Sequence, residues 1–402
     1  MRRNIWQYLT VILIIISLSS FPFKGRNDQM ADDVKRLLYS VPENLITDLD
    51  KEIIAKKSER IDKIFTNLYK RYRFNATVLF SEKGRIIYKN AFGMADFKNH
   101  KDLNTHSSFQ LASVSKMFTA MAIMILKEEG KLTYEDDIRD HIDNFPYEGI
   151  TIRNLLTHRS GLPRYMSIAH KHWKNKRKPL TNDNMLDLFR EHPPQRYFAP
   201  DKGFHYCNSN YAVLASIVEK ISGITFDKFA EEKIFKPLNM TDSFIYNMNE
   251  DSLIPYNIPK GVTGYRYRGW RIVRERNDYL NGVMGDKGVY SSVEDIFKFD
   301  QGMYNETLVS DSTLSEAFES GSPKYWKRRN NYGFGWRIKE REDSTVFHYG
   351  WWKGFRTFYI RDMKTEKTII VLSNKDKGPS SQIFWNILRD ERDPLGFIKD
   401  LN

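Results

Sequence analysis

Residues 113–116 read Ser-Val-Ser-Lys and lead straight into residues 117–129, a strongly helical run that stops at Gly130. On a helix, positions i and i+3 share a face, so the Ser113 hydroxyl and the Lys116 amine can meet. At the first turn Ser113 also lies at the positive end of the helix dipole, where a developing oxyanion is stabilised. Burial disfavours a charged amine and lowers a lysine pKa, which lets Lys116 take the serine proton. This is the only Ser-x-x-Lys in the chain. By itself it is also what a helix-capping serine beside a solvated lysine looks like.

Two further motifs supply partners. In Tyr206-Cys207-Asn208, a tyrosine held near Lys116 can relay a proton to a leaving group. The asparagine amide can bind a substrate carbonyl and steady the lysine. Tyr279-Leu280-Asn281 matches the same bare pattern, so the motif alone does not choose between them. His348-Tyr349-Gly350 is the only His-x-Gly and precedes residues 355–360, a β-rich run. Gly350 would let a substrate approach a strand edge closely, and the Trp351 amide would join that of Ser113 as an oxyanion hole. In isolation these are equally a core tyrosine and a satisfied histidine beside a turn.

The surrounding pattern places these motifs. Ile61, Ile64, Phe65 and Leu68 have the spacing of one buried helix face. Residues 76–80 and 85–88 flank a Glu82-Lys83-Gly84 turn and predict a β-hairpin. Residues 151–239 are mostly helical in pattern, clearest at Tyr211, Leu214, Ala215, Val218 and Ile221 before Ser222-Gly223. Residues 355–360 and 368–372 predict strands separated by a turn at 362–366. Sheet-forming ends around a helical middle predict an α+β domain with a helical insertion and a cleft between the two.

In this order the motifs resemble the class C β-lactamase and penicillin-recognising serine hydrolase family, which includes esterases and D-Ala-D-Ala peptidases. FNATVLFSEKGRIIYKNAFGMAD (74–96), ITIRNLLTHRSGL (150–162) and FHYCNSNYAVLASIVEKISG (204–223) are similar to family segments. IFKPLNMTDS, GDKGVYSSVEDIFKF, HYGWWKGF and VLSN continue the match, so the resemblance runs collinearly over about residues 74–374. It implies a β-lactamase/transpeptidase-like fold, an antiparallel sheet flanked by helices with a helical subdomain. The catalytic domain is then expected at 74–376, a linker and N-terminal helix at 24–73, and a C-terminal helix and tail at 377–402.

The resemblance implies Ser113 as nucleophile, Lys116 as base, Tyr206 as proton shuttle and Asn208 as substrate-amide ligand. His348 takes the place of the third-motif lysine, Gly350 and Trp351 complete the substrate-binding set, and the collinear order favours Tyr206 over Tyr279. The implied reaction is hydrolysis through an acyl-enzyme, with no cofactor, of D-amino-acid peptides or esters. A class C-like β-lactamase and a non-enzymatic penicillin-binding or envelope scaffold protein are the alternatives. Ser-Asp-Asn, Lys-Thr-Gly and Gly-x-Ser-x-Gly are all absent, against class A β-lactamases and α/β-hydrolases. Tyr349, Trp351 and Trp352 depart from the family pattern, and the indoles are expected to narrow the cleft or cover an apolar acyl group. Lys353 and Arg356 are candidates for a substrate carboxylate, or plain surface charge. Cys207 lacks an adjacent histidine in this layout and is a weak rival nucleophile.

Composition bounds the rest. The 402 residues are 41% hydrophobic and 14% aromatic, enough for a sizeable core. The net charge of +12 suits an anionic neighbourhood such as a membrane surface, a polyanionic wall or a carboxylate-bearing substrate. No nucleic-acid signature accompanies it. One cysteine excludes an intrachain disulfide. His170-x-His172 lacks further ligands, so no metal site is expected. The basic stretches at 171–178 and 324–329 read as solvated loops, with contact to an anionic envelope as the rival reading. Arg2 and Arg3 precede an apolar run within residues 5–23, which predicts export by a cleaved signal peptide or an uncleaved membrane anchor.

Overall fold

The structure is a computed structural model that describes residues 48–248, 253–255, 258–323, 331–339 and 344–390. The leader, the basic run at 324–329 and the tail from 391 lie outside the described residues. Ile53–Asn402 forms one compact unit, and of Met1–Glu52 only the first residues of the opening helix are described. Among the described residues no helix is long and apolar enough to cross a membrane.

Helix α1 (Asp48–Tyr72) buries the expected face, Ile61, Ile64, Phe65 and Leu68. The hairpin follows as β1 (Ala76–Glu82) and β2 (Arg85–Phe92), joined at Lys83-Gly84, where both residues have positive φ. These strands belong to a seven-stranded sheet with β3 (Asn331–Tyr332), β4 (Arg337–Ile338), β5 (Thr345–Trp352), β6 (Phe355–Asp362) and β7 (Lys367–Ser373). The order is β3-β4-β5-β6-β7-β1-β2, and every neighbouring pair is antiparallel. The N-terminal strand pair therefore closes onto the last strand of the chain.

Both sheet faces are covered, so strand residues of either parity are apolar. On one face Val78, Phe80, Ile360, Ile369 and Val371 pack with α1 and the C-terminal helix, Gln382–Leu388. On the other, Leu79, Tyr359, Ile370 and Leu372 join the larger core beneath α2 (Ser115–Glu128). The helical subdomain beside this face contains Tyr165–His172, Asn182–Glu191 and α3 (Asn208–Ser222). Tyr211, Leu214, Ala215 and Val218 of α3 are fully buried, and α3 packs directly on α2. The fold is the expected α+β arrangement. One strand goes beyond the sequence reading: His348 lies inside β5 and not beside a turn.

Candidate active site

Ser113 occupies a 3-10 turn, Ala112–Val114, that runs into α2. Ala112 has φ +50°, a left-handed conformation that costs a non-glycine residue roughly 1 kcal/mol. Several bonds hold the turn there. Leu111 N–H donates to Val289 O (2.8 Å), Val114 N–H to Leu111 O (3.1 Å), and Thr357 Oγ1 to Leu111 O (2.6 Å). Val289 N–H in turn donates to Ser115 Oγ (3.1 Å). The nucleophile's backbone is thus tied to two separate elements, including β6.

Lys116 is completely buried. Its Nζ lies 3.2 Å from Ser113 Oγ, 2.9 Å from Asn208 Oδ1 and 2.7 Å from the backbone oxygen of Asp286. An ammonium donates to all three. A neutral amine has two protons and one lone pair; two fixed carbonyl acceptors claim the protons and leave the lone pair for the serine hydroxyl. Because lysine only donates in its charged form, Asn208 must present Oδ1 to it. Its amide NH2 then projects away, towards Met166 Sδ at 3.9 Å.

Tyr206 lies with its ring centroid 5.2 Å from Lys116 Nζ. Its hydroxyl is buried and has no hydrogen-bond partner among the described residues. The segment 206–210 is braced by the 150–162 motif. Cys207 N–H (3.3 Å) and Asn210 Nδ2 (2.9 Å) both donate to His158 Nδ1, and Ser160 Oγ donates to Asn210 Oδ1 (2.6 Å). The His158 ring packs 4.4 Å from that of Tyr206. Burial, then Lys116 and Arg337, hold His158 well below the usual imidazole range, so it is neutral and serves as an acceptor. The sequence reading assigned His158 no role; its signal was a histidine inside an otherwise core-like helical segment.

The rival motif is elsewhere in function. Tyr279 and Asn281 belong to a 3-10 turn, where Asn281 Oδ1 accepts from Asp278 N–H (3.0 Å) as a capping residue. Cys207 is 2% exposed, and burial pushes its thiol pKa up, which removes it as a nucleophile.

Three expectations about the third motif change. His348 is buried with both nitrogens engaged: Nδ1–H donates to Tyr349 O (2.9 Å) and Nε2 accepts from Tyr332 Oη (3.1 Å). Burial, then Arg337 and Lys116, keep it well below the ordinary imidazole range. A neutral ring with both nitrogens engaged within the protein braces the site wall at the position of the third-motif lysine. Gly350 is pressed against the protein itself: a Cβ there would overlap Leu111 O and Thr357 Oγ1. The close approach is made by the nucleophile's own turn, not by substrate. Finally, the indoles part company, because β5 and β6 pair without a register shift from Thr345↔Asp362 to Trp352↔Phe355. Side chains alternate along β5, so Trp351 shares the Tyr349 face, which packs toward α1 and the C-terminal helix, and is 73% exposed. Trp352 is on the Gly350 face, 5.2 Å from Lys287 Nζ, and alone of the pair can shape the cleft.

The Trp351 backbone is another matter. Lys339 N–H donates to Thr345 O (3.0 Å), so odd-numbered residues of β5 direct their amides toward β4. Strand β4 pairs only as far as Phe347. Beyond it the same side of β5 turns the Trp351 amide toward the open edge beside the Ser113 turn. Neither expected carboxylate cation is free on this face: Lys353 pairs with Asp278 (2.6 Å), and Arg356 shares the face of Phe358 and bonds Pro379 O (3.3 Å).

Gly350→Ala is expected to destabilise the fold by about 1–3 kcal/mol, because the added methyl must force β5 away from Leu111. Thermal unfolding would measure it. An unchanged midpoint would show that the two backbones are not held together here.

Among the described residues, no three His, Cys, Asp or Glu side chains are grouped to hold a metal. The Beta-lactamase family model matches residues 61–392. The chain is 37% identical over 337 residues to penicillin-binding protein 4* of Bacillus subtilis (strain 168), covering 80% of this chain and 72% of that one. In solved structures it is similar to a penicillin binding protein from Bacillus halodurans, with TM-score 0.68, 24% identity, and 84% and 98% of the chains covered. It is also similar to the D-amino acid amidase of Ochrobactrum anthropi SV3, with TM-score 0.67, 20% identity, and 86% and 99% covered. With a serine, a buried lysine and an orphaned tyrosine converging in that fold, the chain belongs to the β-lactamase family of serine hydrolases.

Proposed function

We propose that the protein is an exported hydrolase that cleaves amide or ester bonds of the D-amino-acid peptide or ester type through an acyl-enzyme on Ser113. The observation that carries this is the buried Lys116 amine, fixed by two carbonyl oxygens and 3.2 Å from Ser113 Oγ. Lys116 takes the serine proton as Oγ attacks the scissile carbonyl. The amides of Ser113 and Trp351 receive the oxyanion, and the Asn208 NH2 group binds the acyl-side carbonyl. Tyr206, with its unpartnered hydroxyl, passes the proton from Lys116 to the leaving group. Water then adds to the acyl-enzyme with the same groups acting in reverse. The D-amino-acid reading leans on the names of the relatives, and export on the apolar run at 5–23.

Intact-mass analysis after treatment with a fluorophosphonate, a penicillin and a panel of D-aminoacyl esters tests the reading. One adduct per chain is expected, mapping to the peptide containing Ser113, with ester turnover. No adduct, or an adduct mapped elsewhere, would remove the nucleophile assignment. Rapid release of opened penicillin would favour the β-lactamase alternative, and binding without any turnover the scaffold alternative.

A further inference from the structure

Strands Tyr265–Arg268 and Arg271–Arg274 form a two-stranded ribbon that is not part of the seven-stranded sheet. A two-residue loop joins them, with Gly269 at φ +64° in its first position. The register sets Arg266 opposite Val273 and Arg268 opposite Arg271. Side chains alternate along each strand, so the ribbon has two faces. The inner face is committed to the protein: Tyr265 is buried, Arg274 donates to Asp96 (2.6 Å), and the Tyr267 ring lies 5.0 Å from Lys375 Nζ. The outer face carries Arg266, Arg268 and Arg271. Arg266 pairs with Glu275 (3.0 Å). Arg268 and Arg271 are exposed, and no carboxylate or hydrogen-bond acceptor engages either among the described residues. The Arg271 guanidinium lies instead 4.9 Å from the ring of Trp270, the loop residue, which is 81% exposed.

Like charges set directly opposite each other weaken a strand pair, and an indole held in water forgoes the burial its ring favours. Nothing among the described residues offsets either cost, so both point outward to a partner. The tip matches one kind of surface. Indoles settle where lipid headgroups meet acyl chains, and arginines bind anionic headgroups around them. Here the ring stands in the loop itself, with an arginine ending one strand and another starting the next. A soluble polyanion would engage the guanidinium groups but offers the ring no apolar layer. The net charge of +12 has the matching sign. A second exposed indole stands at the same end of the sheet. The ribbon's base is pressed on the turn after β5, where a Cβ on Gly264 would overlap Lys353 O, and Trp351 just before that turn is 73% exposed. The basic stretch at 171–178 is less free, since Lys176 donates back to the carbonyls of Ala169 (3.0 Å) and His170 (2.6 Å). We propose that the 265–274 ribbon is a membrane-docking element. It seats Trp270 in the interface of an anionic phospholipid bilayer and sets Arg268 and Arg271 on the headgroup phosphates. This surface is independent of the Ser113 chemistry.

Quenching by brominated lipid tests it on the full chain. Vesicles of phosphatidylcholine with about 30% phosphatidylglycerol, brominated near the headgroup, quench indoles that reach the interface. Trp270→Phe keeps a ring at the tip and removes only that emission, so the excess quenching of the wild type over this variant belongs to Trp270, wherever else the chain touches lipid. A clear excess is expected, falling in about 0.5 M salt. The docked-to-free ratio read from it should drop about fivefold in Arg268→Gln or Arg271→Gln, and about 10- to 30-fold in the double variant. Thermal midpoints of these variants should equal or exceed that of the wild type, because the opposed charges are removed and no internal partner is lost. No excess in the wild type, an equal excess on pure phosphatidylcholine, or an excess untouched in the double variant would overturn the proposal. A Trp270 signal that responds to soluble polyphosphate and not to vesicles would overturn it in favour of a polyanion. A lowered midpoint in the double variant would overturn it by showing that the two arginines serve the fold.

Discussion

Replacing Lys116 by Met is expected to lower kcat and the rate of fluorophosphonate labelling by about 10^3- to 10^4-fold, with KM little changed. Methionine keeps most of the side-chain volume in a fully buried position and removes only the amine. No other base is ready to take over. His348 has both nitrogens engaged, and His158 uses Nδ1 to accept from two donors. The remaining rate would come from the oxyanion donors and from binding, which are untouched. The substitution also leaves Asn208 Oδ1 and the Asp286 carbonyl without their donor, at about 1–3 kcal/mol for each buried acceptor. Unfolding must therefore be followed alongside, and the comparison made well below the midpoint. Activity above about one tenth of wild type, in a folded variant, would show that the serine is activated by something other than this amine.

How far the site could be read without coordinates depends on the range of the interaction concerned. The hairpin, α1, α2 and α3 follow from local periodicity, and so did their faces: Ile61, Phe65 and Leu68 are buried as the spacing required. The Ser113–Lys116 contact is a three-residue interaction along one helix, and it was legible for the same reason. Strand β5 was not. Its TVFHYGWW sequence mixes a histidine and a glycine into an aromatic run, with both faces apolar, so no alternation marks it. Missing that strand made Trp351 and Trp352 look equivalent, although its parity sends them to opposite faces. Lys353 and Arg356 looked like free cations because Asp278 and Pro379 are remote in sequence. Arg337 has no signal in the sequence, because a lone arginine between Trp336 and Ile338 carries no pattern, and its place against the Tyr206 and Tyr332 rings comes from contacts remote in sequence.

Asp286-Lys287 is the strongest case of such hidden meaning, since an adjacent acid and base ordinarily lie at the surface and here are buried. Asp286 is 0% and Lys287 3% exposed, and the Tyr165 hydroxyl lies 3.1 Å from Asp286 Oδ2 and 2.7 Å from Lys287 Nζ. Asp286→Ala is expected to destabilise the protein by about 3–5 kcal/mol at neutral pH, because it strands a buried ammonium. The backbone oxygen of the same residue holds Lys116, so labelling of Ser113 should slow as well. The sign of the pH dependence identifies the cause. Burial lowers the Lys287 pKa, and Asp286 is the main opposing influence; its removal depresses that pKa further. Between the folded value and the ordinary lysine value the unfolded chain binds more protons, so stability rises with pH in that window. Urea unfolding at pH 7 and pH 9.5 should therefore show the deficit of Asp286→Ala shrinking as pH rises. Asp286→Ala/Lys287→Met, which removes the stranded charge, should recover much of the loss and part of the labelling rate. A double variant no more stable than the single one would mean that the carboxylate is held for Tyr165 or for the backbone turn, and that the buried charge pair does not set the stability of this wall of the site.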